Sequence, residues 1–166
     1  MLIYHPAFDA YHCAFRLLAI TSERRVLEFA KLRILDFFLC FPAEVANVQL
    51  PQEHGDVKKL AREARNPYRG PISASRTFRD LEPIQSAAAR LLALTGVFSI
   101  SELEQDRVVR TGQALPENLQ RVSAGEAAFS TPLDRYVLSR MAEIPLAGVG
   151  GLKQRTGLME YRYDNA

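Results

Sequence analysis

The stretch KLRILDFFLCFP (residues 31–42) decides how this chain is read. From Ile34 to Phe41 its only charged side chain is Asp36. A helix that is apolar nearly all round belongs inside a protein core rather than on its surface. The run is far shorter than the ~20 residues needed to cross a bilayer. It is therefore expected to be the C-terminal half of a buried helix over about 23–41, with Pro42 as its stop. Ser22 is the expected N-cap and Glu23 an acidic first-turn residue. Leu27, Ala30, Ile34, Phe38 and Phe41 share one side of it. Arg33 and Asp36 lie one turn apart, a spacing that lets them pair with each other or lock a neighbouring segment in place.

Before this helix, His5-Pro6 opens a first periodic segment, since proline is tolerated in a first helical turn. Phe8, Tyr11, Phe15 and Leu18 recur on one helical face. After it, residues 43–55 read as a loop, and Asp56 opens a short helix, DVKKLAREA, closed by the turn cluster NPYRGP. A long helix is expected over about 77–95, bent near Pro83, with a stripe of Leu81, Ile84, Ala88, Leu91, Leu92 and Thr95 and a C′ glycine at Gly96. There the period changes. VFSI (97–100) and RVVRT (107–111), separated by SELEQD, predict a small hairpin. Helices follow over about 117–128 and 131–144, the second capped by Thr131 with Pro132 at its first position. PLAGVGGL (145–152) reads as a flexible link, and the tail carries too little pattern to assign.

The expected fold class is mainly α with a small β-hairpin: a winged-helix-like core with flanking helices. Residues 1–115 form that core, with the wing at about 97–111, and 116–166 form a C-terminal helical extension packed on it. The order helix, short helix, long helix, hairpin is that of a winged helix-turn-helix unit, and an irregular helical bundle with an incidental hairpin shares it. A chain of 166 residues, 48% hydrophobic and 24% charged, is in the range of one folded domain, and a net charge of +2 does not by itself call for a nucleic-acid partner. Cys13 and Cys40 sit in apolar runs and form no CxxC pair, which reads as buried thiols in a reducing compartment. No signal-peptide pattern opens the sequence, so a cytoplasmic protein without a membrane segment is expected.

Three groups of residues invite a chemical reading. His5, Asp9, His12 and Cys13 cluster at helical spacing, but Pro6 places His5 at the helix edge, off the ideal ligand geometry. They read as a helix entry, with Asp9 near the positive N-terminus, and no metal, cofactor or catalytic residue is assigned. His12 and Cys13 are adjacent, so on a helix they do not face each other, and no GxSxG, HExxH or P-loop signature occurs. GVGGLKQRTG (148–157) is glycine-rich and basic but lacks the P-loop ending, and reads as a linker. The segment 56–79 carries Lys58, Lys59, Arg62, Arg65, Arg69, Arg76 and Arg79 against only Asp56 and Glu63. Such a run contacts nucleic-acid phosphates, meets an acidic partner surface, or is a solvated face. The N-terminal helices hold more aromatic surface than one small core needs, which points to an interface formed by Phe8, Tyr11, His12 and Phe15.

Four segments together resemble a known family: LIYHPAFDAYHCAFRLL (2–18), KLRILDFFLCFP (31–42), NPYRGPISASRTFRDLEPIQ (66–85) and GLKQRTGL (151–158). They are similar to the middle components of bacterial ABC-three-component systems, relatives of the Lamassu anti-phage operons. The resemblance implies a non-enzymatic accessory subunit. Its implied partners are an SMC- or Rad50-like ATPase and an effector, often a nuclease, in a complex that senses foreign DNA, with double-stranded DNA met through that complex. No active-site residues come with the resemblance. A stand-alone winged-helix DNA-binding regulator is the alternative, and an enzyme built on His5, Asp9, His12 or Cys13 is the third class.

Overall fold

A computed structural model of the chain describes residues 5–123 and 128–159. A 3-10 turn at Pro6–Phe8 leads into α1, Ala10–Glu23. Asp9 caps it: Oδ1 accepts the backbone N–H groups of Tyr11 at 2.8 Å and His12 at 3.0 Å. Ser22 does not cap the next helix as the sequence predicts. It lies inside α1, where its hydroxyl donates to the Leu18 carbonyl at 2.8 Å. The expected second helix is shorter at its start, because Val26–Glu28 is a strand, β1, and α2 spans Phe29–Cys40. β1 pairs antiparallel with β2, Arg107–Val109, in the register Val26↔Val109, Leu27↔Val108, Glu28↔Arg107. Leu27 and Val108 point into the core while their neighbours face outward, the alternation that a pleated edge requires.

The predicted pairing of 97–100 with 107–111 is present, but only as a single bridge; the ladder partner of 107–109 is 26–28, some eighty residues away, and local periodicity carries no information about so distant a partner. The segment 97–99 lies along the other edge of β2, through a Phe98–Arg110 bridge and the bonds Ser99 N–H to Val109 O (3.0 Å) and Thr111 N–H to Val97 O (2.9 Å). Ile100 leaves that line to start α5, Ile100–Leu103, which Ser99 caps through its hydroxyl. Gly96, at φ 80°, sits in the left-handed region expected of a C′ glycine.

α2 is buried from Lys31 to Leu39 without a break, which its all-round apolar sequence dictates. α4, Ala74–Leu94, packs against α1 and α2. It starts three residues before its expected position, capped by Ser73, and continues through Pro83 without ending. Pro83 and Arg79 are both exposed, so the carbonyl that loses its helical donor faces water. Leu91, expected in the buried stripe, is 43% exposed, and Gln85 takes a buried place instead.

The three helices are keyed together by a buried polar chain. Arg16 on α1 meets Asp36 on α2 at 2.6 Å, and Gln85 on α4 donates to the other oxygen of Asp36 at 2.8 Å. Gln85 also accepts from Arg33 Nε at 2.9 Å and donates to the Arg33 carbonyl at 3.2 Å. Arg33 therefore does not pair with Asp36 directly. It turns toward α4, lying 4.5 Å over the Phe78 ring and 3.3 Å from Glu82. Each end of this one-turn pair is satisfied by a different neighbouring helix, a geometry that spacing along α2 alone cannot specify.

Residues 43–55, read as a loop, hold two 3-10 turns, Pro42–Asn47 and Gln52–His54, before α3, Gly55–Glu63. Later elements close around them. α6 is Glu117–Ser123, and the expected continuation of that helix over 124–127 lies outside the described residues. α7, Pro132–Tyr136, begins with a complete capping box between Thr131 and Asp134 and continues as a π-type turn, Val137–Met141. The link read as flexible folds back instead: Leu152 N–H bonds Pro145 O at 2.8 Å and opens α8, Leu152–Thr156. Residues 160–166 of the patternless tail lie outside the described residues. Leu133, Tyr136, Val137, Met141 and Leu152 belong to the same hydrophobic core as α1, α2 and α4. Among the described residues no helix is long and apolar enough to cross a membrane.

Candidate partner interface

α1 presents two unlike faces. One buries Cys13, Leu17 and Ile20. The other carries His12, Phe15, Ala19 and Ser22 along one side of a groove of about 930 Å³. From His12 to Ser22 a helix advances about 15 Å, which sets the length of the groove along α1. Leu39 and Cys40 from the end of α2, Tyr68 and Arg69 from the NPYRGP strap (66–71), and Leu115, Ala128 and Phe129 add to its walls. Phe15, Leu18 and Leu39 are largely buried and give it an apolar floor.

Its described charged lining residues are all arginines, joined by two histidines. His5 is held by two contacts: Nδ1 accepts the Ala7 N–H at 3.2 Å, and the ring stacks on Phe41 with centroids 5.5 Å apart. That acceptor role leaves the other ring nitrogen to carry the proton. Arg110 reaches across from beyond β2 and donates through Nη1 to Leu18 O at 3.2 Å and Ser22 Oγ at 2.9 Å, both uncharged acceptors. Burial, with Arg25 nearby, lowers its pKa. Arg16 also lines the groove, but Asp36 neutralises its charge. Burial alone would lower the Arg16 pKa; the pull of Asp36 outweighs that and raises it. Among the described residues no carboxylate lines the groove. Such a surface can seat apolar side chains while meeting negative charge at several points along its length.

Of the residues singled out from sequence as candidate site or contact residues, His5, His12, Phe15 and Arg69 meet at this groove. Phe8 and Tyr11 do not line it, but each is 47% exposed. Tyr11 packs edge-on against Phe15 at 4.7 Å, so the exposed aromatic surface is continuous with the groove. The other basic residues are dispersed. Lys58, Lys59 and Arg62 ride on α3, whose buried side is Val57 and Ala61. Arg65 donates to Asn47 Oδ1 at 3.1 Å. Arg76 and Arg79 lie on α4, where Arg79 lines a separate cleft of about 390 Å³ beside Phe78, Glu82 and Leu158. The remaining aromatics of the N-terminal helices, Phe37, Phe38 and Phe41, are spent in the chain's own core.

The cluster at the chain's start is put to other uses. Asp9 caps α1, and Cys13 is fully buried with Sγ 3.9 Å from both carboxylate oxygens of Asp36. Burial, then the Asp36 charge, pushes that thiol far above its ordinary pKa, the reverse of nucleophile activation. Among the described residues no group of three or more His, Cys, Asp or Glu side chains is arranged to hold a metal ion. Sequence reading missed Arg16, Arg110 and the strap's Tyr68 as groove residues. Arg16 left one trace, a lone cation inside the apolar run AFRLLA; Arg110 left none, because its place depends on the long-range pairing of β2.

No curated protein and no solved structure matches the chain. A model of one protein family matches residues 2–164, nearly the whole sequence, and its span takes in all three helices of the polar chain and every described wall of the groove. The chain belongs to the family described as ABC-three component (ABC-3C) system Middle Component 5.

Proposed function

We propose that this protein is a non-catalytic, cytoplasmic accessory subunit that joins an SMC- or Rad50-like ATPase to an effector, such as a nuclease, in a DNA-sensing anti-phage or anti-plasmid complex related to Lamassu. The observation that carries the reading is family membership across residues 2–164, which makes the chain a component of a multi-component system. The exposed aromatics at Phe8 and Tyr11 beside a groove without described carboxylates support a role in holding partners. The buried, poorly ionised Cys13 argues against a thiol enzyme. Co-expression with the ATPase and effector encoded at the same locus tests it: the three should co-purify at fixed stoichiometry through size exclusion, and separate elution of this chain from both would overturn the reading.

A second reading rests on strand order. β2 has β1 on one edge and 97–99 on the other, and α4 leads into 97–99; a winged-helix unit requires that arrangement. With Arg76 and Arg79 on α4, it supports a stand-alone DNA-binding regulator. That reading predicts duplex binding by the isolated protein with affinity falling steeply as salt rises, and flat titrations at low salt would remove it.

A further inference from the structure

We propose that the α1 groove receives an acidic segment of a partner protein, one that seats an apolar side chain on the floor and sets carboxylates against Arg69, Arg110 and the His5/His12 end. This rests on the accessory-subunit reading and names the chemistry of the partner at that surface. The first support is charge. The described lining holds Arg16, Arg69, Arg110, His5 and His12 and no carboxylate, and of the three arginines only Arg16 forms an ion pair with a described residue. Arg110 is held in place by a carbonyl and a hydroxyl, which orient its guanidinium without neutralising it. Arg25, its charged neighbour, adds to the unmatched positive field. A partly buried cation with no anion gains from one delivered into the groove, because a charge-assisted hydrogen bond is stronger there than in water.

Shape chooses among anions. Arg110 lies at the Ser22 end of α1, and His5 and His12 lie at its start, so the polar groups of the lining are spread over about 15 Å rather than converging on a point. A single phosphate or a mononucleotide needs converging donors, such as a nest of backbone N–H groups. At the start of α1 the N–H groups of Tyr11 and His12 are already taken by Asp9. An extended segment of four to five residues, at ~3.3 Å each, spans the groove and alternates its side chains between floor and rim. The floor of Leu18, Leu39 and the buried Phe15 suits leucine or phenylalanine side chains. It is a poor bed for the sugar-phosphate backbone of single-stranded nucleic acid, which would lose hydration there; the exposed Tyr68 on the rim is the one open aromatic face among these groove residues, and the oligothymidylate arm below probes it.

The test titrates the full chain with a fluorescein-labelled probe of alternating glutamate and leucine, and separately with a labelled oligothymidylate of similar length. Saturable binding of the peptide is expected, falling at least tenfold in Arg69→Glu and in Ala19→Trp, whose indole would fill the floor, while Arg90→Glu, on α4 outside the groove, binds as the wild type does. Arg110→Glu should show the same loss; because Arg110 also ties the end of α1, Arg69→Glu and Ala19→Trp decide the matter if that variant misfolds. No peptide binding up to about 1 mM, binding that ignores both groove variants, or groove-dependent binding of the oligonucleotide alone would overturn the proposal. The same variants enter the co-purification experiment. If the wild-type complex forms and the groove variants join it equally well, the groove assignment fails and the accessory role stands; if no complex forms, the titration still reports on the groove by itself.

Discussion

The polar chain inside the molecule and the rim of the α1 groove are both built from arginines, yet they are balanced in opposite ways. Inside, Arg16 has Asp36, Asp36 has Gln85, and Gln85 has Arg33, so each link closes within about 3 Å. At the groove, Arg69 and Arg110 have no carboxylate among the described lining residues. Both sets share α1, and Arg16 belongs to both. A charge matched within the chain fixes how helices pack; a charge left unmatched at a concave surface remains to be matched by something else. The two sets should therefore respond differently to mutation.

The largest effect is expected from Asp36→Leu. Asp36 is fully buried and Arg16 nearly so, and removing one member of a buried pair strands the other. The cost should be about 3–5 kcal/mol, or roughly 10 °C in Tm. Replacing both, with Arg16→Met and Asp36→Leu together, should recover much of that loss, because an apolar pair leaves no orphaned charge. A double variant no better than the single one, in urea unfolding, would break the claim that these two residues are one unit.

Gln85→Leu comes next. It removes the acceptor of Arg33 Nε and the closest donor to Asp36 Oδ2, leaving Arg16 Nη2 at 3.4 Å as the nearest one there, while keeping the side chain's volume, for an expected loss of about 1–3 kcal/mol. The cost should shrink when Asp36 is already leucine, since one of the two affected groups is then gone, and a double-mutant cycle measures that coupling directly. Additive losses would mean that Gln85 serves α4 alone and does not link the helices.

How much of this contrast is legible in the sequence follows from which interactions are local. Burial of 34–41 is legible because a helix with no polar face has nowhere else to go. Asp9, Thr131 and Gly96 as terminus residues are legible because their partners lie within a turn. The Arg16–Asp36 pair is not, because Arg33 is the nearer candidate and only the crossing of α1 over α2 decides between them. β1 is hidden by its length, three residues being too few to show a period, and by a partner eighty positions away. The groove collects residues from α1, the end of α2, the strap and the far side of β2, so its parts carry no shared spacing. Phe15, His12 and Arg69 stand out in the sequence for separate reasons, and folding alone puts them in one place.

A smaller effect lies at the seam between α3 and α7, where the balance is intermediate. Arg140 grips Asp56 through both carboxylate oxygens, at 3.0 and 3.2 Å, and His54 Nδ1 lies 3.0 Å from the Tyr136 hydroxyl. Burial raises Tyr136 to a pKa of about 12, so the phenol keeps its proton, and the tautomer of the neutral His54 ring sets which of the two donates across this contact. Burial first, then Arg140, lowers the His54 pKa, with Arg155 adding to this and Glu53 and Asp56 opposing it. The sign follows: below about pH 6.5 the unfolded chain takes up a proton that the folded chain resists, so stability falls as the pH drops through that value and levels off below the folded pKa. Urea midpoints from pH 8 to pH 5 should fall less steeply in His54→Gln than in the wild type; parallel profiles would show that the contact carries no linkage.

The smallest effect on stability, and the sharpest contrast with Asp36, is expected from Arg69→Glu. Arg69 is exposed on the strap, and its side chain makes no hydrogen bond or ion pair with any described residue, so reversing its charge should change unfolding by no more than about 0.5 kcal/mol. The new carboxylate would face Arg110 and the histidines across the groove, which makes a slight stabilisation the more natural sign. A core cation and a groove cation of the same chemistry would then differ by several kcal/mol in what the fold asks of them, while only the second governs the acidic probe. If Arg69→Glu instead unfolds the protein as readily as Asp36→Leu, the strap arginine is matched within the chain after all, and the division between charges that pack and charges that wait for a partner does not hold at this position.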